Sequence, residues 1–213
     1  MRTDDLIAVL SSAQPERPGP SLGLALAGTA VFGLALSLAL VAMSIGVRAD
    51  MATAFAMPKV WIKHIGLTAI LFTGLLAFVA SLRPGRKARP IFTFVVVPVL
   101  AIAAVAVWQL ALMPASEWRG AVMGTTWAYC LVLVPSFAIL PFALLVALGQ
   151  RGAPVDPGFA GAMAGFAAGA LSASAYAIHC HEDAAAFVLI WYGLGIVACT
   201  LIGRLLGPRL LRW

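Results

Sequence analysis

Long apolar runs separated by short polar segments make up nearly the whole chain. Six of them, at residues 22–47, 62–82, 91–113, 127–148, 159–178 and 184–206, are each about the length that crosses a membrane. A hydrocarbon core of about 30 Å needs roughly 20 apolar residues at 1.5 Å of helix rise each. The pattern therefore predicts an all-α fold, a six-helix transmembrane bundle over residues 22–206. The segments left over, 1–21 and 207–213 at the ends and the loops between runs, are too short to fold as a separate soluble domain. Composition agrees: 62% of the 213 residues are hydrophobic, 10% are charged and the mean hydropathy is +1.01. A soluble domain of that size has no interior large enough to hide so much apolar surface.

Charge sets the expected orientation. With six spans both termini share a side with the loops after the second and fourth helices. That side carries Arg2, Arg17, Arg83, Arg86, Lys87, Arg89, Arg151, Arg204, Arg209 and Arg212, ten of the 14 cations, against Arg48, Lys59, Lys63 and Arg119 on the other. Lys and Arg are retained on the cytoplasmic side of short loops, so both termini are expected there. Topology then accounts for the net charge of +6 without nucleic acid, and the basic inner face attracts anionic lipid headgroups. Residues 1–21 carry Asp4, Asp5 and Glu16 and lack the basic start, apolar core and small-residue cleavage site of a secretory signal.

Between the last two spans lies His179-Cys180-His181-Glu182-Asp183, a concentration of reactive and ionisable side chains in an otherwise hydrocarbon sequence. With residues 48–61 and 114–126 it is expected to face outward, into an oxidising compartment in a Gram-negative host. Trp127 and Tyr129 suit the aromatic belt at the outer interface and bring Cys130 near the level of Cys180. Cys199 falls roughly 22 Å deeper in the last helix, so only Cys130 and Cys180 are expected to pair. Cys199 reads as a small apolar filler.

Thiolate and imidazole together suit a soft ion, copper, cadmium or zinc. His179, Cys180, His181 and Glu182, with Cys130 completing the set, are the candidate ligands. Adjacent side chains on so short a turn cannot all address one ion, so two or three is the expected number. No resident cofactor is required. The competing reading is a polar turn in which Glu182 and Asp183 favour the positive end of the sixth helix.

The spans themselves read as structural. Gly161, Gly165 and Gly169 open one face of the fifth helix to close contact, with Ser172 and Ser174 available for interhelical hydrogen bonds. Pro98, Pro135 and Pro141 predict kinks in the third and fourth helices. No Asp, Glu, Lys or Arg is expected deep in a span, which argues against an ion pathway, and His64 reads as an interfacial anchor. At the start, Thr3 can cap a short amphipathic helix whose first turn holds Asp4 and Asp5 and whose apolar face is Leu6, Ile7 and Leu10. Such a helix would order mainly on a partner, with Pro15, Pro18, Gly19 and Pro20 forming a tether to the first span.

The opening Arg2-Thr3-Asp4-Asp5-Leu6-Ile7, the six spans and the closing His179-Cys180-x-Glu182-Asp183 with Phe187 and Trp191-Tyr192-Gly193-Leu194-Gly195 resemble the NrsF family, negative regulators of sigma factor F. The resemblance covers the whole chain. It implies an anti-sigma factor of the bacterial inner membrane, not an enzyme, that holds an extracytoplasmic-function (ECF) sigma factor until a heavy-metal or oxidative signal arrives. In it Cys130 and Cys180 occupy the sensing places and residues 3–10 the partner-binding place, with no direct nucleic-acid contact. His181 departs from the family pattern, which places proline after the second cysteine. The rival class is a membrane thiol oxidoreductase or a small metal transporter. The first should show Cys-x-x-Cys, which is absent, and the second polar residues at mid-membrane, which are sparse. A purely structural membrane subunit is the third reading.

Overall fold

The computed structural model describes residues 2–12, 21–85 and 88–212. The tether prolines, Arg17, Arg86, Lys87 and Trp213 lie outside the described residues, as does the side chain of Leu10. Among the described residues the structure is helical without strands, and six helices are long and apolar enough to cross a membrane. After α1 (Thr3–Ser12) the spans are α2 (Leu22–Ser44), α4 (Pro58–Ser81), α5 with α6 (Ala88–Thr93 and Val96–Ala111), α8 (Trp127–Gly149), α9 (Pro157–Tyr176) and a composite last helix. That last helix runs through α10 (Ala185–Phe187), a π-helical turn (Val188–Tyr192) and α11 (Gly193–Leu210). Short α3 (Met51–Ala54) and α7 (Trp118–Met123) lie in the connections.

Local chemistry explains the boundaries. Ser21 accepts from the Leu24 amide at 3.3 Å and Asp156 from Phe159 at 2.9 Å, capping α2 and α9, while Pro58 and Pro157 open their helices where no amide is needed. α2 stops at Ser44, short of the expected Val47, because Gly46 turns the chain at φ +80°. α4 begins at Pro58, ahead of the expected residue 62, which brings Lys59 into the helix. The third span breaks at Phe94–Val95, where Pro98 has no amide for the Phe94 carbonyl. Pro135 and Pro141 are both accommodated within the single helix α8.

α9 is the centre of the bundle. It has the lowest mean hydropathy of the six spans, 1.2, yet 83% of its window is buried, against 11% for the α5–α6 span. Small residues explain the reversal, since close backbone contact takes the place of bulky apolar side chains. A Cβ on Gly161 would strike the Gly203 carbonyl and Gly207, one on Gly165 the Cys199 carbonyl, and one on Gly169 the backbone at Ile196. Ser172 adds a 2.6 Å hydrogen bond to the Val134 carbonyl of α8. Ser174, expected to do likewise, donates instead to Ala170 of its own helix.

One further expectation, the cap of α1, is corrected. Thr3 is the first residue of α1 rather than its cap; the Arg2 amide at the cap position donates to Asp5 at 3.3 Å. Lys63, in the first turns of α4, is buried.

Candidate functional site: a buried dithiol at one end of the bundle

The connection between α9 and the last helix places Cys180 over the start of α8. Cys180 Sγ lies 4.0 Å from Cys130 Sγ and 3.8 Å from the Thr126 hydroxyl, and both cysteines are buried and unbridged. Cys130 belongs to the first turn of α8, its amide bonded to the Thr126 carbonyl. Tyr176 and Tyr192 pack against each other with ring centroids 5.8 Å apart, and the fully buried Tyr192 hydroxyl lies near the pair without a formed hydrogen bond. Tyr192 ends the π-helical turn, the wider helical turn that re-aims side chains at functional places.

The Cys180 thiol is drawn down from its ordinary 9.0 to about 6, first by the hydrogen bond from Cys130 and against the effect of burial. The nearby Tyr192 hydroxyl, the Glu182 amide and the positive charge of Lys63 act in the same direction. The arrangement therefore favours a thiolate on the loop cysteine with a thiol beside it. A pair of this kind can close to a disulfide or hold a thiophilic ion between two sulfurs.

The remaining residues of the loop face elsewhere. His179 Nδ1 lies 3.0 Å from the Gly46 carbonyl, and His181 Nε2 is 3.7 Å from Asp50 on the exposed side. Glu182 Oε1 accepts from the Thr125 amide at 2.7 Å and from its hydroxyl at 3.0 Å. Among the described residues no group of three or more His, Cys, Asp or Glu is placed to hold a metal ion. The structure thus brings together Cys130 and Cys180 and keeps His179, His181 and Glu182 apart from them.

Glu182 and Asp183 immediately precede α10, at the helix end where the polar-turn reading puts them, but neither side chain bonds its first amides. The Ala185 amide is taken by Gln109 Oε1 at 2.9 Å. Asp183 is instead the centre of a buried ion cluster: Lys63 Nζ stands 2.5 Å from Oδ1, and Arg48 Nη1 lies 3.1 and 3.0 Å from the two oxygens. Arg48 also pairs at 2.8 Å with the exposed Asp50, so the two buried cations meet one buried acid and one at the surface. Asp50 is pulled down to about 2 by that guanidinium, and Arg48 is held charged well above its ordinary range by Asp50 and Asp183 despite burial.

Sequence reading missed this cluster. Its signal was present: Arg48 and Lys63 are cations on the cation-poor side, and Asp50 and Asp183 flank the loops that side is built from. Nothing local, however, says that residues more than a hundred positions apart meet.

A dithiol at one end of a glycine-seamed, six-helix transmembrane bundle defines the class of the molecule. The chain belongs to the NrsF family, whose model, described as negative regulator of sigma F, matches residues 10–213. It is 33% identical over 213 residues to the "Probable anti-sigma-F factor NrsF" of Azospira oryzae, with all of both chains covered. It is also 33% identical over 218 residues to the "Anti-sigma-F factor NrsF" of Caulobacter vibrioides, again with full coverage of both. No solved structure matches. The homologues are anti-sigma-F factors, a regulatory class whose partner is a sigma factor.

Proposed function

We propose that this chain is an inner-membrane anti-sigma factor that holds an ECF sigma factor on the cytoplasmic side through α1 and releases it when Cys130 and Cys180 react with a soft metal ion or an oxidant. The dithiol end then faces outward and both termini face the cytoplasm, as the cation count favours. The observation that carries the sensing part is the 4.0 Å approach of the two sulfurs beneath a loop tied to several helices. A reaction at that contact must move the loop, because a disulfide needs about 2.05 Å between sulfurs and a bridging ion needs room between them.

The donor set also supports a narrower choice of ligand. Zinc is usually held by four ligands, and here two sulfurs face each other while the imidazoles are engaged elsewhere. A thiophilic ion content with two sulfurs, such as copper(I), fits better, as does simple oxidation to the disulfide.

The test is co-purification of a sigma factor with the full-length chain in membranes, followed by exposure to copper, cadmium or a hydroperoxide. Retention before exposure and loss after it, abolished in Cys130→Ser, is the expected result. A chain that never retains a sigma factor overturns the proposal.

A further inference from the structure

Lys63 is 1% exposed in its side chain, at the edge of a membrane span, where an unpaired ammonium is costly. Three acceptors surround it: Asp183 Oδ1 at 2.5 Å, the Cys180 carbonyl at 2.9 Å and the Glu182 carbonyl at 3.5 Å. Its three N–H donors are thereby used, and one of them grips the main chain of the sensing cysteine itself. Lys63 is not the only partner of Asp183, because Arg48 also meets both of its oxygens. The contacts that Lys63 supplies and Arg48 does not are those to the main chain of the loop, the shorter of them to Cys180.

We propose that Lys63 is a positioning residue of the dithiol: it fixes Cys180 at its distance from Cys130 and ties any displacement of Cys180 to α4. Cys130 sits in the regular first turn of α8, so the loop side is the one that yields when the sulfurs close. A pull on the Cys180 carbonyl is a pull on Lys63 and hence on the α4 end. The geometry stands independently of the anti-sigma reading, whereas the consequence for signalling rests on it.

The experiment uses the full-length chain carrying Cys199→Ser in phospholipid nanodiscs, with a diazenedicarboxamide as oxidant. Its azo group accepts the two thiol hydrogens as a hydrazine while the Cys130–Cys180 bond forms, and mass spectrometry follows the rate. Lys63→Met is expected to slow closure about tenfold, since a displacement of about an ångström is enough for such losses. Lys63→Arg should restore most of the rate. Arg48→Met, which opens the same ion cluster without touching Cys180, should stay within about twofold. If Lys63→Met does not fold, Lys63→Gln, neutral and still able to donate, replaces it and is expected to be slowed by about threefold or more.

Unchanged closure in the folded Lys63 variant overturns the proposal, and so does equal slowing in Arg48→Met, the mark of a merely structural cluster. Sigma-factor release is measured separately. A wild-type chain that closes its disulfide without releasing a sigma factor overturns the sensing function and leaves the positioning role standing.

Discussion

The sulfurs of Cys130 and Cys180 lie 4.0 Å apart although 50 positions separate them in the chain. Two groups that act as one site are not additive on removal. Cys130→Ser and Cys180→Ser are each expected to blunt a sigma-dependent reporter's response to copper, cadmium or oxidant to a similar degree, with the double variant no worse. Cys199→Ser should change little, because Cys199 packs against Gly169 within the α9–α11 seam. Full responses in both single variants would return the pair to a packing role.

Titration gives a second readout of the same contact. Cys180 is drawn down to about 6, chiefly by the Cys130 hydrogen bond, so its alkylation by iodoacetamide should reach half its maximal rate near pH 6 rather than near 9.0. Cys130→Ala, which removes the donor, should move that midpoint upward. The sign for stability follows: a lowered thiol pKa contributes stabilisation fully present above the unfolded value and lost as pH falls through about 6. A midpoint near 9.0 in the wild-type chain would show that the hydrogen bond does not form.

The glycine seam makes a prediction about assembly. A Cβ at Gly165 would run into the Cys199 carbonyl, backbone that cannot rotate away, whereas Gly28 has nothing within 4 Å. Gly165→Ala is expected to cost about 1–3 kcal/mol, read as a lower unfolding temperature in detergent. Gly28→Ala should show no loss. Equal behaviour of the two would mean that α9 and α11 do not pack as closely as the structure has them.

What the sequence disclosed and what it withheld divide along the range of the interactions. Six spans follow from apolar runs, and the repeat of Gly161, Gly165 and Gly169 was visible because a helix puts every fourth residue on one face. Their partners Gly203 and Gly207 on α11 were not singled out, since a seam is only defined once two helices are known to face each other. Cys130 and Cys180 could be matched by depth. The fate of Asp183 could not, because from sequence it was equally a helix-end acid, and only the fold brings Arg48 and Lys63 to it. The adjacent His179 and His181 looked like ligands by proximity along the chain, yet on a tight turn neighbouring side chains diverge, one to Gly46 and one toward Asp50.

Topology is open to direct measurement. The ten-to-four distribution of the 14 cations favours a cytoplasmic C-terminus, so reporter fusions after Arg212 should be active inside and fusions within residues 179–183 outside. An external C-terminus would place α1 and the sigma factor on opposite sides and end the proposed function.

The last prediction concerns α1 itself. Its 10 residues fall below the roughly 12 to 15 at which an isolated helix becomes marginal in water. Leu6, Ile7 and Val9 are nonetheless exposed, at 41%, 59% and 57%, an apolar surface on a helix too short to stand alone. A partner groove that covers this surface supplies what the helix lacks, which is the usual logic of an amphipathic segment that orders on binding. Leu6→Asp with Ile7→Asp should therefore abolish co-purification of the sigma factor while membrane insertion, followed by fractionation, is unchanged. Asp4→Asn, which alters the first turn without touching the apolar residues, should weaken binding far less. Unchanged binding in the Leu6 and Ile7 variant would move the contact to the basic segment 83–89 or to the C-terminal tail.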